Sequence, residues 1–253
     1  MRIGTKSVLF GAHCFFLHPW FVALAWWKLY GFPRDPRLWV AFFVHDLGYI
    51  GKPNMDGPEG ETHPEFGARV MRWFDRTPYK WERREVPCPL VRGLGFDFRE
   101  VEALAKKGWS YDYQMRGKAY VRRPRFFWSD FALLHSRYYS KALGLDPSKL
   151  CFADKLSFAL TPRWLYLPMV RATGELQEYL RNAQRSESDH WKPTGHDAKV
   201  WHKALCHYMR EWVEVHKDGA KDTWTSADRH GSRPRPGTER SATGNTDAAG
   251  VTQ

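Results

Sequence analysis

The chain has 253 residues, of which 43% are hydrophobic and 16% aromatic. This composition excludes a disordered protein and predicts one sizeable folded domain. The formal net charge of +11 predicts acidic partners such as nucleotides, nucleic acid or phosphorylated metabolites, without choosing among them. The four cysteines are widely spaced and form no CxxC pair, which argues against a zinc knuckle or a disulfide scaffold and predicts a reducing compartment.

The first 30 residues share some features with a signal peptide, because Arg2 and Lys6 precede an apolar run. His13, His18 and Pro19 interrupt that run, and no small-residue cleavage site follows it. No apolar segment of the sequence reaches the length of a membrane span. We therefore expect a soluble, cytoplasmic protein with no membrane partner. The sequence gives no indication of the oligomeric state.

Helix-capping signals recur along the chain, whereas the alternation of apolar and polar residues that is typical of strands is nearly absent. Asp35-Pro36 and Asp146-Pro147 each resemble an N-cap followed by proline at the first helical position. Thr62 and Glu65 have the spacing of a capping box. The predicted helices span residues 19–30, 36–44, 63–74, 130–143, 147–160, 174–185 and 198–217. These patterns predict an all-α fold.

The composition also predicts how the chain is organised. Residues 1–217 are expected to form one helical domain, with the tryptophans of its first helix (Trp20, Trp26 and Trp27) in the core. Residues 75–128 are predicted to be an irregular insertion, in which basic residues alternate with aromatic ones, as in "AYVRRPRFFW". Residues 218–253 are rich in Gly, Ser, Thr, Asp and Arg, and we expect a disordered C-terminal tail.

The stretch "VAFFVHDLGYIGKP" places His45 and Asp46 at the end of an apolar helix. A His-Asp dipeptide alone is a weak signal. A second one, His196-Asp197, occurs at a polar helix start, where we interpret it as a cap or a surface feature. Four further residues distinguish the first pair, because each stands at a predicted helix start or inside an apolar helix: His18, His63, His135 and Asp154.

A carboxylate in a helix as apolar as the one around Asp154 is costly unless it is paired or binds a metal. Imidazoles together with carboxylates suit a divalent transition metal, namely Mn, Fe, Co, Ni or Zn. The sequence leaves open whether His13 or His18 is the first ligand, although Pro19 favours a helix start after His18. Structural roles also stay open for His63 (in a first turn), His135 (in the core) and Asp154 (in an ion pair).

Together, "HPWFVALAWWKLYG", "VAFFVHDLGYIGKP", "HPEFGARVM" and "CFADKLSFAL" resemble, in order and spacing, the HD-domain metal-dependent phosphohydrolases. The resemblance covers residues 8–165, with the insertion inside it. It implies an HD-domain helical bundle of about five core helices, followed here by C-terminal helices. It further implies one or two metal ions. The primary ion would be held by His18, His45, Asp46 and Asp154, and His63 and His135 occupy the places of ligands to a second ion.

The resemblance implies hydrolysis of a phosphomonoester or phosphodiester by metal-activated water, with a nucleotide as the leading substrate. Asp46 is predicted to bridge two ions, and Lys52 and Lys155 are predicted to meet the phosphoryl group. Two other functions stay open. One is a di-iron oxygenase on the same fold, which needs all six ligands; the other is a non-catalytic module that binds nucleotides or nucleic acid through the basic insertion.

Overall fold

The computed structural model describes residues 1–88, 90–91, 95–105, 109–186 and 191–218. Within these ranges the chain forms eleven α-helices: α1 (Ile3–Phe10), α2 (His18–Tyr30), α3 (Pro36–Val44), α4 (Pro64–Met71), α5 (Arg99–Ala105), α6 (Phe127–Leu133), α7 (Arg137–Leu143), α8 (Lys149–Leu160), α9 (Arg163–Thr173), α10 (Glu175–Gln184) and α11 (Ala198–His216). Short 3-10 helices cover Leu47–Tyr49, Gly60–Thr62, Arg72–Phe74 and Lys192–His196. None of the helices in the described part of the chain has the length and hydropathy that a bilayer crossing requires. The predicted disordered tail lies, apart from residue 218, outside the described residues.

The predicted helices 19–30, 36–44, 174–185 and 198–217 match α2, α3, α10 and α11 to within one residue. Two of the caps are carboxylates: Asp35 accepts a hydrogen bond from the backbone N–H of Arg37, and Asp197 accepts from those of Lys199 and Val200. The second His-Asp pair is thus a helix cap, as predicted. Gly31, at the end of α2, has a φ of 88°, a conformation that favours glycine.

Several boundaries were predicted wrongly. The Thr62 hydroxyl donates to the Glu59 carbonyl and does not cap α4. Helix α8 begins at Lys149, three residues after Asp146. The predicted helix 130–143 is two helices, α6 and α7, because the carbonyl of Leu134 accepts from the backbone N–H of Ser148 instead of continuing the helix. The interruption leaves His135 in the link between the two helices.

The fold is not all-α, because the predicted irregular insertion contains a sheet. Strands β1 (Lys80–Pro87), β4 (Ser110–Met115) and β5 (Lys118–Arg125) form an antiparallel sheet in the order β1-β5-β4, and β2 (Leu90–Val91) pairs with β3 (Gly95–Phe96). Charged residues occupy both faces of β1 and β5, which hides the period-two alternation. The β4–β5 turn is formed by Arg116 and Gly117, both with positive φ, instead of the Asn-Gly that signals such a hairpin.

The helices and the sheet have separate apolar cores. In the helical core, α2 packs against α3 and α8, where Val22, Trp26, Phe42 and Leu150 are buried. Val86, Trp109 and Val121 lie in the core under the sheet. Of the three tryptophans expected in the helical core, only Trp26 is there; Trp20 and Trp27 are more than half exposed. Helix α2 therefore buries one face and leaves an aromatic face outside.

Helix α6, which precedes His135, is capped from a distance. Both carboxylate oxygens of Asp75 are used: one accepts from the backbone N–H of Trp128 at 3.1 Å, the other from that of Ser129 at 2.8 Å. No side chain next to α6 in sequence takes this role. Asp75 is buried, so these hydrogen bonds are shielded from water.

Replacement of Asp75 by alanine should lower the free energy of unfolding by about 1–2 kcal/mol, because two N–H groups at the start of α6 lose their acceptor. Urea denaturation followed by circular dichroism measures the change. Asp146→Ala serves as the matched control, since Asp146 is exposed and precedes α8 without capping it. Equal stability of the two variants would contradict the capping role.

Candidate metal centre

The six predicted ligands gather in one buried cluster. Their nitrogen and oxygen atoms form two groups, in each of which the atoms lie within 4.8 Å of one another. The first group is His18, His45, Asp46 and Asp154; the second is Asp46, His63 and His135. All six residues are at most 9% exposed. This arrangement is compatible with a divalent metal.

The six predicted ligands come from five places in the bundle. His18 opens α2, and His45 and Asp46 follow the last turn of α3. His63 precedes the first residue of α4, and His135 lies in the link between α6 and α7. Asp154 is in the middle of α8, which packs against α2. The cluster therefore forms only when these helices have assembled.

Hydrogen bonds to the backbone orient three of the imidazoles. His45 Nδ1 donates to the Phe42 carbonyl at 3.0 Å, and His63 Nδ1 donates to the Gly60 carbonyl at 2.8 Å. His135 Nδ1 donates to the Ala132 carbonyl at 2.5 Å. Because a carbonyl can only accept, Nδ1 carries the proton in each ring, and Nε2 of the neutral ring has a free lone pair. Three Nε2 atoms are thereby prepared as metal ligands.

All four imidazoles present Nε2 to the carboxylate of Asp46. Oδ2 lies 3.1 Å from Nε2 of His18 and 3.1 Å from Nε2 of His45. Oδ1 lies 3.5 Å from Nε2 of His63 and 3.4 Å from Nε2 of His135. Asp46 thus belongs to both groups, with one oxygen in each. Asp154 Oδ1 completes the first group, 3.2 Å from Nε2 of His18.

The spacing and the chemistry of these atoms fit a metal ion. Ligand atoms bound at about 2.0–2.2 Å to one ion lie roughly 3.0–3.6 Å apart, which is the range of the distances to Asp46. The Oδ2 atom of Asp46 is buried and makes no hydrogen bond of acceptable geometry, although two ring nitrogens lie 3.1 Å away. Lone pairs directed at a carboxylate oxygen repel it unless a cation or a proton lies between them.

The electrostatics of the cluster also favour bound positive charge. Burial lowers the pKa of His45, but the negative charges of Asp46 and Asp154 raise it by more, to about 10. Burial raises the pKa of Asp46, but the charges of His45 and His13 hold it well below its usual value. Burial and the charge of His135 hold the pKa of His63 well below its usual value. Without a metal, a proton on His45 compensates the two buried carboxylates.

The two lysines predicted to be catalytic lie in different surroundings. Lys155 Nζ donates to Asp154 Oδ2 at 2.8 Å, and its side chain is 28% exposed. Burial lowers the pKa of Lys155, but the charge of Asp154 raises it by more, so the side chain stays an ammonium group. Lys52 Nζ donates to the hydroxyl of Thr62 at 2.5 Å. Thr62 directly precedes His63 in the sequence. Of these two lysines, Lys155 is the one that hydrogen-bonds to a residue of the cluster, Asp154.

His13, the sequence-based alternative to His18, belongs to neither group. Its Nδ1 lies 2.8 Å from the Ser7 hydroxyl, which donates to the buried carboxylate of Glu175 at 3.0 Å. The rings of His13 and His18 are in edge contact, with centroids 5.7 Å apart. His13 therefore lies beside the cluster and is held by residues outside it.

Three residues close to the cluster were not predicted from the sequence: Ser7 and Glu175, which hold His13, and Tyr49. The ring of Tyr49 stacks on that of His63 with centroids 3.9 Å apart. Tyr49 occurs in the "HDLGY" stretch, so its position next to Asp46 was a usable signal. Ser7 and Glu175 are far apart in sequence and have no local signal that connects them.

Several arginines of the insertion form ion pairs with acidic residues. Arg122 pairs with Asp112, and Arg123 and Arg125 both pair with the buried Asp130. Arg125 also pairs with Glu82. These residues lie in the sheet and in its attachment to α6, and they stabilise that attachment. Binding of nucleic acid by the insertion stays a prediction.

Comparisons of the chain with protein-family models, with curated proteins and with solved structures found no match.

Two glycines allow the backbone segments of the site to approach each other. A Cβ added at Gly48 would lie 1.9 Å from the carbonyl oxygen of His63. A Cβ added at Gly67 would lie 2.9 Å from the Cα of His45. In both cases the obstructing atom is backbone, which cannot rotate away. The turn after Asp46 and helix α4 therefore pack at a distance that only glycine permits.

Replacement of Gly48 by alanine should lower the free energy of unfolding by about 2–3 kcal/mol, because the turn after Asp46 must move away from His63. Gly174→Ala is the control: its added Cβ meets open space, so only its left-handed backbone conformation (φ 90°, ψ −3°) costs stability, about 1 kcal/mol. Chemical denaturation of both variants measures the difference. A Gly48 variant no less stable than the Gly174 variant would contradict the close approach.

Proposed function

We propose that the chain is a metal-dependent phosphohydrolase of the HD-domain type, which cleaves a phosphomonoester or phosphodiester. The observation that carries the proposal is the orientation of the imidazoles. Three of them are fixed by Nδ1–carbonyl hydrogen bonds, and all four direct Nε2 at the two oxygens of Asp46. A histidine with a purely structural role does not require three other imidazoles to direct their Nε2 atoms at the same buried carboxylate. The order and spacing of the six residues in the sequence support the same family.

The two groups of ligands would hold one ion each. His18, His45, Asp46 and Asp154 would hold the first ion, and His63, His135 and the other oxygen of Asp46 the second. When bound, a divalent transition metal at this place supplies a Lewis acid that polarises a phosphoryl oxygen and lowers the pKa of water. The Asp46 carboxylate keeps the two groups together, since it has an oxygen in each.

The charged residues around the cluster have separable roles. Asp154 binds Lys155 through the oxygen that does not face His18, so the ammonium group is held at the edge of the site. There it would compensate negative charge that develops on the phosphoryl group during in-line attack. Lys52 would act on the same group only after leaving Thr62. We therefore expect Lys155 to contribute more than Lys52.

The leading substrate class is a nucleotide. A net charge of +11 favours encounter with phosphorylated molecules in general. The choice of a nucleotide among them rests on the aromatic and basic residues near the ligands in the sequence. Faster phosphate release from nucleotides than from simple phosphate esters would support this choice.

A second candidate is a di-iron oxygenase on the same fold. It is favoured by one observation: the second group, His63, His135 and Asp46, is as buried as the first and shares a carboxylate with it. Imidazole and carboxylate ligands suit iron as well as manganese or zinc. Purification with about two iron ions per chain, together with oxygen consumption and no phosphatase activity, would favour this candidate.

The first test concerns metal binding. The wild-type protein should bind about two divalent ions per chain, and His135→Gln about one, because it loses a ligand of the second group only. Asp46→Asn should lose both, since the amide cannot act as a bridging anion. His196→Gln, the exposed histidine of the other His-Asp pair, should bind as the wild type does. Inductively coupled plasma mass spectrometry after dialysis measures the content, and a wild type without metal would refute the proposal.

The second test concerns catalysis. Wild-type protein loaded with Mn²⁺ should release phosphate from at least one member of a panel of nucleotides and simple phosphate esters. Asp46→Asn should lower kcat/KM by at least about 1,000-fold, because loss of the ion removes several kcal/mol of transition-state stabilisation. Lys155→Met should lower kcat more than Lys52→Met does. Metal binding without turnover of any ester would favour the oxygenase or a binding module instead.

A further inference from the structure

The outer side of α2 carries a row of large apolar side chains that are exposed. Trp20, Leu24 and Trp27 are 56%, 37% and 57% exposed, and the flanking Phe16 and Phe32 are 70% and 58% exposed. We call these five residues the aromatic face. Trp20, Leu24 and Trp27, which are spaced by four and three residues, lie on one side of α2, a helix about 20 Å long. Phe16 and Phe32 lie just beyond its two ends. The opposite side of α2 carries His18 and the core residues.

Ring contacts make the aromatic face continuous with the protein beneath it. The rings of Trp27 and Phe32 are in edge contact, with centroids 5.9 Å apart. Trp20 contacts Phe43 at 5.9 Å, and Phe43 contacts Phe15, which in turn contacts Phe16 at 5.5 Å. Contiguous apolar surface of this kind marks an interaction site, unlike single exposed apolar residues.

Basic residues predominate in the segment that carries the aromatic face. Residues 1–45 contain five basic side chains and one acidic side chain, Asp35. Asp35 is already paired with Arg37 at 2.7 Å. Lys28 is exposed next to Trp27, and Arg34 is exposed two residues after Phe32. A partner for this surface must therefore combine an apolar interior with a negatively charged boundary.

We propose that the aromatic face binds an anionic membrane surface, with α2 lying parallel to it. Tryptophan and phenylalanine side chains favour the boundary between headgroups and acyl chains, where apolar rings are removed from water. Lysine and arginine beside them are attracted to anionic lipids by about 1 kcal/mol each. The inference does not rest on the proposed catalytic function, since the aromatic face and the metal ligands lie on opposite sides of α2.

A second copy of the chain fits the same face less well. In a symmetric dimer a surface meets itself, so the exposed Lys28 and Arg34 would meet a surface that carries the same positive charges. Within residues 1–45 the only acidic residue is Asp35, and it is already paired with Arg37. An anionic lipid surface compensates these charges directly. The sequence predicted no membrane partner because no apolar segment is long enough to span a bilayer. The exposure of Trp20 and Trp27, which allows binding to a membrane surface, follows only from the fold.

Vesicle flotation with the full chain tests the proposal. The protein should float with vesicles of equal parts phosphatidylglycerol and phosphatidylcholine, and much less with phosphatidylcholine alone. The double substitution Phe16→Ser/Trp27→Ser should lower the partition constant at least about tenfold, because two exposed rings no longer enter the interface. Lys28→Gln/Arg34→Gln should lower it by roughly tenfold or more and weaken its dependence on salt. Trp81→Ser is the matched control, since Trp81 is half exposed on the outer side of the sheet.

Circular dichroism and light scattering accompany each sample. The charge variant replaces two exposed side chains, so it tests the proposal even if the aromatic variant does not fold. Equal flotation with the two vesicle types would overturn the proposal, as would equal flotation of both double variants and the Trp81 control. A wild-type dimer that ignores vesicles and that Phe16→Ser/Trp27→Ser converts to a monomer would also overturn it, and would assign the face to a second copy.

Discussion

The buried carboxylate of Asp46 is the constraint on which the arrangement of the helices depends. Its two oxygens face four imidazoles at 3.1–3.5 Å, and these imidazoles come from four different segments of the chain. A buried anion is unstable without nearby positive charge. The bundle must therefore keep these four segments in place around one residue. The close approaches at Gly48 and Gly67 serve this same requirement.

The orientation of the imidazoles follows from where the helices end. The last carbonyl groups of a helix have no partner within it. At the end of α3 the Phe42 carbonyl accepts from His45, and at the end of α6 the Ala132 carbonyl accepts from His135. Each histidine thus satisfies a helix terminus with Nδ1 and leaves Nε2 for the site. This explains why an apolar helix ends in a His-Asp pair: the ring caps the helix and at the same time directs Nε2 at Asp46.

The sheet is an addition to the bundle and has its own core. It is joined to the helices by charged and polar contacts: Arg123 and Arg125 bind Asp130 of α6, and Asp75 before β1 caps the same helix. Since α6 leads into His135, the insertion affects the second group of ligands through the position of one helix. In the same way, α2 connects the two proposed functions, because its inner side bears His18 and its outer side the aromatic face.

The sequence by itself determined the helices with clear caps, such as α3 after Asp35, and the set of candidate ligands, because capping and polar residues in apolar helices leave local signals. It did not reveal the sheet, since charged residues on both faces of β1 and β5 conceal the alternation. Nor did it place Trp20 and Trp27, because periodicity shows which residues share a side of a helix but not which side is covered. Only the tertiary structure separated His18 from His13 and brought Asp154 to Asp46, because distances between helices depend on packing between residues remote in sequence.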